Sequence, residues 1–348
     1  MVEISVIIPT YNVEKYIEEC LDSVINQTFE DIEIICIDDK SSDNTYNILK
    51  EYCMKDSRIK LYQNSQNLGI ADTRNFSLKI AKGKYIYFLD SDDYIELNAL
   101  ETLYNLAEEK SLDILMFKSL HFANHTRKEY TDYYTDMNYL KIVKDEVFSY
   151  EDIKPYIIEI CVNLHGKLFR RDLICDIEFP SGVIFEDVPF FAETLFKAKR
   201  IYFLRQYLYH KRWRRKSIMT TRNIKFLMFI DILDMTFDVF KKYGYYDELK
   251  CFLYQHMIST NITVMHKIFS FTRFHYYKKM RSNFIYHKND VEDVWDDLYF
   301  KYQIVYDICI KSNNYFTYLL RWYYNYLKNF KQIRKEIKIE KSMWKDED

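Results

Sequence analysis

Four short runs rich in β-branched and aromatic residues punctuate the first third of this chain: residues 4–8 (ISVII), 32–37 (IEIICI), 84–89 (KYIYFL) and 112–117 (LDILMF). Between them, residues 13–27, 43–56, 70–82 and 96–109 carry apolar positions at helical spacing. Strands alternating with helices of that length predict βαβ units and a parallel sheet. Right-handed crossovers then align the strand C-termini along one edge, where open α/β sheets bind their ligands. Polar residues crowd those ends: Thr10 to Asn12, Asp38 to Asp43 and Asp90 to Asp93. Beyond residue 120 the pattern is irregular. Residues 121–150 read as a loop, 151–170 and 187–199 as helical, and 200–209 as a strand or hairpin arm. Residues 222–337 contain one Gly and no Pro, and read as consecutive aromatic-rich helices. The expected organisation is an α/β domain over 1–220, with a ligand half at 1–120 and a second half at 121–220, followed by a helical region over 221–348.

Composition narrows the function. Lys plus Arg is 50 and Asp plus Glu 52, a net charge of −2, which argues against a protein that coats nucleic acid through bulk charge. The five glycines stand at least fourteen residues apart, which excludes G-x-G-x-x-G and the P-loop. A phosphate must then be held by a metal, basic side chains or helix N-termini. The seven cysteines are an odd count without C-x-x-C, as expected of free thiols in a reducing cytosol. No run of about 18 apolar residues occurs, and residues 1–9 read as a strand and not as a signal peptide, so a cytoplasmic location is expected.

The strongest local signal is Asp90-Ser91-Asp92-Asp93 after the third run. Three carboxylates in four residues are costly together unless a cation binds them, and oxygen-only ligands suit Mg²⁺ or Mn²⁺. A turn with an Asp helix cap would need only one of the three. Asp38 to Thr45 places two adjacent acids at another strand end, suited to a nucleobase N–H or a ribose hydroxyl, or to capping the next helix. Pro9 to Asn12 and Asn67 to Asn75 supply turn residues, with Arg74 one helical turn inside the following segment.

In order and spacing, IPTYN at 8–12, DDKSSDNT at 38–45, NLGIADTRN at 67–75 and FLDSDD at 88–93 closely resemble the nucleotide-sugar domain of family 2 glycosyltransferases. That resemblance implies a GT-A fold, Rossmann-like and mostly parallel with flanking helices. It also implies a metal-dependent, inverting transfer from a UDP-sugar to a glycan or lipid-linked glycan of the bacterial surface. On it, Thr10, Tyr11, Asp39 and Asn67 contact the base or ribose, with Pro9, Arg74 and Ser91 beside them. Asp90 serves ribose or metal, and Asp92 ligates the metal. Farther on, the resemblance makes Asp187 the general base, with Glu186 orienting it or the acceptor; helix capping is the plainer role of that pair. The Lys167-Leu168-Phe169-Arg170-Arg171 element puts Lys167 on the acceptor side, although His165-Gly166 departs from the usual polar residue before it. Arg212, Arg214 and Ser217 match an element that closes over the diphosphate, with Trp213 toward the acceptor. His210 is a candidate to complete the metal shell, although most lone histidines are not ligands.

The stretch from Leu195 to Phe229 holds eleven Lys or Arg and no acid. Residues 321–345 hold eight against two acids, with Trp322, Tyr323, Tyr324, Tyr326 and Phe330 interleaved. Such a segment suits either an anionic membrane face or an ordinary exposed terminal helix. The aromatic helices also offer a surface on which two copies could pair. His121 and His125 lack the Glu of H-E-x-x-H and read as structural or acceptor-side. Two other readings of the chain stand beside the transferase: a metal-dependent enzyme acting on another nucleoside diphosphate compound, and a non-catalytic nucleic-acid module using residues 197–225.

Overall fold

The computed structural model describes residues 2–123, 129–131, 136–137, 140, 143–157, 160–213, 224–268, 270–312, 314–315 and 317–321. The chain divides into two compact units, residues 1–215 and 216–348.

The first unit is built on one mixed sheet. Its opening half alternates as the sequence predicts: β1 (Ile4–Thr10), α1 (Ile17–Ile25), β2 (Ile32–Asp38), α2 (Thr45–Lys55), β3 (Ile59–Gln63), α3 (Ile70–Ile80) and β4 (Tyr85–Phe88). These four strands lie parallel in the order β3-β2-β1-β4. Both faces of β1, β2 and β4 are covered, which is why their residues read as unbroken apolar runs instead of alternating ones. β3 escapes the sequence pattern, because Ile59–Gln63 is an edge strand with one fully buried residue.

After β4 come β5 (Tyr94–Ile95), α4 (Ala99–Glu109), β6 (Ile114–Ala123), β7 (Glu129–Tyr130), β8 (Lys167–Arg170), α5 (Arg171–Ile174), α6 (Asp187–Lys197) and β9 (Ile201–Trp213). The sheet continues β4-β8-β6-β9-β5, and β7 pairs with β6. β8 runs antiparallel between β4 and β6. The helix expected over 151–170 does not form. Tyr150–Tyr156 and Leu164–Gly166 are 3₁₀ turns, and Lys167–Arg170 is a strand. The apolar residues of this stretch serve a central antiparallel strand, whose short buried run has no helical period.

One close approach fixes the edge opposite the strand C-termini. A Cβ on Gly83 would collide with the backbone of Ile4 and Ser5, so only glycine lets the chain enter β4 there. Glu33 is buried at that edge and accepts from the Ser5 hydroxyl at 2.6 Å, the Lys82 N–H at 2.6 Å and the Lys60 ammonium.

The second unit is helical over its described part: α7 (Met228–Lys242), α8 (Tyr246–Lys267), α9 (Ser270–Tyr286), α10 (Lys288–Asp293) and α11 (Phe300–Lys311). Buried Tyr254 bonds His287 at 2.9 Å, and His287 bonds Asp234 at 2.8 Å, which ties α7, α8 and the turn before α10. No described helix is long and apolar enough to cross a membrane. The basic aromatic segment lies outside the described residues, apart from Arg321.

Candidate active site

The C-terminal ends of β1, β2 and β4 meet as expected: the Asp39 N–H donates to Thr10 O at 2.8 Å, and Leu89 N–H to Ile7 O at 3.0 Å. The loops they launch fasten one another. Asn12, at φ +52°, accepts from Ser42 N–H at 2.8 Å and donates its own N–H to Ser41 Oγ at 3.0 Å. Asp43 accepts from the N–H groups of Glu14 and Thr45. Much of DDKSSDNT is therefore turn and cap chemistry.

Asp39 is buried. Its carboxylate accepts from Leu68 N–H and Gly69 N–H, each at 2.8 Å, and from Asn64 Nδ2 at 2.8 Å. It thus shapes the loop before α3. Asn67 joins from the same loop, donating to the Asp39 carbonyl at 3.3 Å. The buried Thr10 hydroxyl donates to Ile37 O at 3.1 Å, which commits its proton within the sheet. Pro9 lies in β1 beside it, Tyr11 is half-exposed at the edge, and Ser91 is buried in the turn after β4.

The ADTRN segment docks the loop that precedes α6. Asn75 exchanges two 2.8 Å hydrogen bonds with the Phe179 backbone, and Ser181 Oγ donates to Asp72 at 2.5 Å. Arg74, buried between the rings of Phe88 and Phe179, pairs with Glu186 and reaches Asp90 Oδ1 at 3.2 Å. One guanidinium thereby joins the acids after β4 to the Glu186-Asp187 pair at the start of α6. Phe185, at φ +67°, is a non-glycine residue in the left-handed region immediately before that pair. Such strain persists only where the surrounding structure fixes it.

Electrostatics separate the acids. Burial would raise the Asp90 pKa, but His165 and Arg74 outweigh it and hold this carboxylate below its usual range. Burial, and then Asp92 and Asp90, push Asp93 well up. Asp93 accepts from the Tyr209 hydroxyl at 2.5 Å and Arg212 N–H at 2.6 Å, which pins β9 to the acidic turn. Burial also raises Asp187, against the opposing charges of Arg74, Lys211 and Lys167. Glu186 is pushed up to about 7 by burial, which exceeds the lowering by Arg74.

Several expected roles are corrected by these contacts. His210 turns both ring nitrogens to carboxylates, Nδ1 to Glu129 at 3.0 Å and Nε2 to Glu96 at 2.6 Å, and stacks on Tyr94. Neither nitrogen is left for a metal beside Asp92. Arg212 is buried, bonding Glu19 at 2.5 Å and the Asp92 carbonyl at 2.7 Å, so it holds the acidic turn in place. Lys167 is fully buried, its ammonium donating to the carbonyls of Cys161 (2.6 Å) and Asn163 beneath the Phe191 ring. That makes it a support of the turn before β8 and not a surface for an acceptor. Trp213 is exposed at the end of β9, and Arg214 and Ser217 lie outside the described residues. Two residues with no role in the sequence reading belong to the site: His165, 3.7 Å from Asp90, and Lys211, whose charge acts on Asp90, His165 and Asp187. His165 showed itself only as a departure from the family pattern, and Lys211 was one cation in a run.

Asp90 and Asp92 offer hard oxygen donors of the kind Mg²⁺ and Mn²⁺ take. Among the described residues no three His, Cys, Asp or Glu gather into a metal-holding group. Two carboxylates supply part of the oxygen shell that such a cation takes.

A mostly parallel sheet with acidic strand ends, tied by an arginine to a second acid pair, is the layout of a nucleotide-sugar transferase, and the chain belongs to the family 2 glycosyltransferases. Residues 5–174 match the family model described as glycosyl transferase family 2. Glycosyltransferase GlyG of Streptococcus pneumoniae is 31% identical over 63% of this chain and 73% of its own length. The poly(ribitol-phosphate) beta-glucosyltransferase of Bacillus spizizenii is 48% identical over 33% of this chain. The chain spans 38% and 19% of the length of two curated relatives, this one being the latter. The crystal structure of S. aureus TarS 1–349 in complex with UDP-GlcNAc shares the fold, with a TM-score of 0.71 at 23% identity over 88% of this chain and 87% of that one. The first unit is accordingly a GT-A domain.

Proposed function

We propose that this glycosyltransferase moves a sugar from a UDP-sugar to a bacterial surface glycan or lipid-linked glycan, with inversion at the anomeric carbon. The observation that carries the reading is Arg74, which binds Asp90 and Glu186 at once and so makes the two acid clusters one site. Base and ribose lie along the ends of β1 and β2, against Tyr11 and the Asn67 loop. Asp90 and Asp92 would hold Mn²⁺ or Mg²⁺, which when bound neutralises charge on the departing diphosphate. Asp187, its affinity for a proton raised by burial, takes the proton of the acceptor hydroxyl. Glu186, fixed by Arg74, orients that base, and Lys211 adds positive charge facing the leaving group. The UDP-GlcNAc complex of TarS supports uridine as the nucleotide. The name of the Bacillus relative adds phosphopolyol chains to the acceptors to be tried. Activity at the cytoplasmic membrane face fits such acceptors.

The test is calorimetric binding of UDP, GDP, CDP and dTDP with and without Mn²⁺, on wild type and Asp92→Ala, with turnover measured on Asp187→Asn. The expected result is Mn²⁺-dependent preference for UDP that is lost in Asp92→Ala. Asp187→Asn should bind UDP normally and transfer nothing. Wild-type turnover in Asp187→Asn refutes the base, and release of inorganic pyrophosphate in place of UDP refutes the reaction class.

A further inference from the structure

Helix α1 lies along the segment that carries the acidic turn, and its residues meet that segment in order. The Cys20 thiol stands 3.8 Å from the Asp90 carbonyl, and Ser23 Oγ accepts from Ile95 N–H at 3.3 Å. Gln27, just past the helix, donates to the Glu96 carbonyl at 2.7 Å and accepts from Leu100 N–H at 2.9 Å. At 3.6 residues per turn, positions 16, 20, 23 and 27 form one stripe, with position 19 at its margin. Between Asp90 and Ile95 the hold passes through Arg212.

Arg212 grips the turn twice. Its Nε donates to the Asp92 carbonyl at 2.7 Å, and its backbone N–H donates to Asp93 Oδ1 at 2.6 Å. At the far end of the guanidinium, Nη2 donates to Glu19 Oε2 at 2.5 Å. The guanidinium carbon lies 5.1 Å from the centre of the Tyr16 ring and 4.7 Å from that of Phe122. A guanidinium is planar, so fixing Nη2 also fixes the direction of the Nε–H. Glu19 thereby aims the donor that holds the Asp92 peptide. The two partners differ in burial. The Arg212 side chain is 2% exposed and needs a countercharge, whereas that of Glu19 is 39% exposed. Truncating Glu19 therefore opens its position to water and leaves the core packing in place.

We infer that Glu19 is a positioning residue for cation binding: through Arg212 it sets the Asp92 peptide, and with it the direction in which the Asp92 carboxylate is presented. This rests on the donor reading above, in which Asp90 and Asp92 hold Mn²⁺ or Mg²⁺. Glu19 touches neither nucleotide nor cation in that reading; its carboxylate acts on the arginine.

The test measures UDP affinity by calorimetry across a series of Mn²⁺ concentrations and reads the Mn²⁺ level at half-effect. The proteins are wild type, Glu19→Gln, Glu19→Ala, Arg212→Met and the double variant of Glu19→Ala with Arg212→Met, with denaturant unfolding as the check that each is folded. Glu19→Ala should raise the half-effect level by about threefold to tenfold, within the range of couplings between contacting groups. Glu19→Gln, which still offers Nη2 an oxygen, should raise it less. In the Arg212→Met background, Glu19→Ala should add nothing, because the path from Glu19 to Asp92 is already cut. An unmoved half-effect level in Glu19→Ala, equal shifts for Ala and Gln, or shifts that add in the double variant overturn the inference and leave the donor reading intact. A wild type that binds UDP equally with and without Mn²⁺ overturns the metal part of that reading and the inference with it.

Discussion

Replacing Glu186 by Gln tests whether burial or the ion pair governs this acid. Glu186 is almost fully buried and paired with Arg74, and ion pairing alone would lower its pKa. Desolvation acts the other way and prevails, since Arg74 divides its charge between Glu186 and Asp90, and Asp187 adds a repelling neighbour. The result is a shift from the ordinary 4.5 up to about 7. Each pH unit between the unfolded and folded values is worth about 1.4 kcal/mol, so the whole displacement amounts to about 3 kcal/mol. The sign follows from proton counting. Between pH 4.5 and 7 the unfolded chain has released this proton and the folded chain keeps it. Stability from this group is thus complete below pH 4.5, falls as pH rises and is lost above about 7. Gln fills the same volume, can still accept from Arg74 and does not titrate. The assay is denaturant unfolding of wild type and Glu186→Gln from pH 4 to 8, taking the difference in unfolding free energy so that other titrations cancel. Relative to the variant, wild type should lose about 3 kcal/mol across that window. A flat difference would mean that Glu186 titrates as it does in water. A difference of the opposite sign would mean that the Arg74 pair outweighs burial.

Lys167→Met should leave the carbonyls of Cys161 and Asn163 without their donor and cost about 2 kcal/mol of stability, read from the denaturant midpoint, with acceptor KM unchanged. A raised KM at unchanged stability would restore its acceptor role. Arg212→Met removes the bonds to Glu19 and the Asp92 carbonyl, so the acidic turn loosens and UDP binding in Mn²⁺ should weaken by about tenfold, or about 1.4 kcal/mol. An unchanged calorimetric Kd would show that the turn holds its shape without this arginine.

The strands β1, β2, β4 and β6 were legible because burial leaves continuous apolar runs in them, and Asp90 to Asp93 stood out because acids at the end of such a run need a reason. β3 and β8 were not legible, for different reasons. Ile59–Gln63 is an edge strand whose short run is broken by Lys60 and has one buried residue, and Lys167–Arg170 is a central strand that opens on a charged residue. In the latter, the buried Lys167 is stabilised by two carbonyls and a ring that arrive from residues 161, 163 and 191, and no local pattern announces them. His210 and Arg212 were misassigned for a related reason. Arg212 was assigned by likeness to a motif and His210 as a candidate ligand, but their partners, Glu96, Glu129 and Glu19, come from three separate parts of the chain, and the pairing of β9 with β5 and β6 brings His210 to its carboxylates.

The segment Ala71 to Asn75 gives the clearest case of a motif whose residues have distinct work. Its spacing on α3 allows neighbouring side chains to reach one outside loop: Asp72 takes the Ser181 hydroxyl, Asn75 pairs with the Phe179 backbone and Arg74 meets Glu186. All three contacts bridge more than 100 residues of chain, between the helix beside the nucleotide edge and the loop before α6. They add to the packing of Phe179 and Phe190 on Phe88, which also joins the Asp187 side of the site to the strand that ends at Asp90. The in-line displacement proposed above requires the base and the leaving group to keep a fixed separation, and small displacements of that geometry are costly in rate. The motif therefore serves position more than binding. Arg74 adds a second effect, since the same cation that holds Asp90 ionised leaves Glu186, which has to share it, close to neutral pH in its titration.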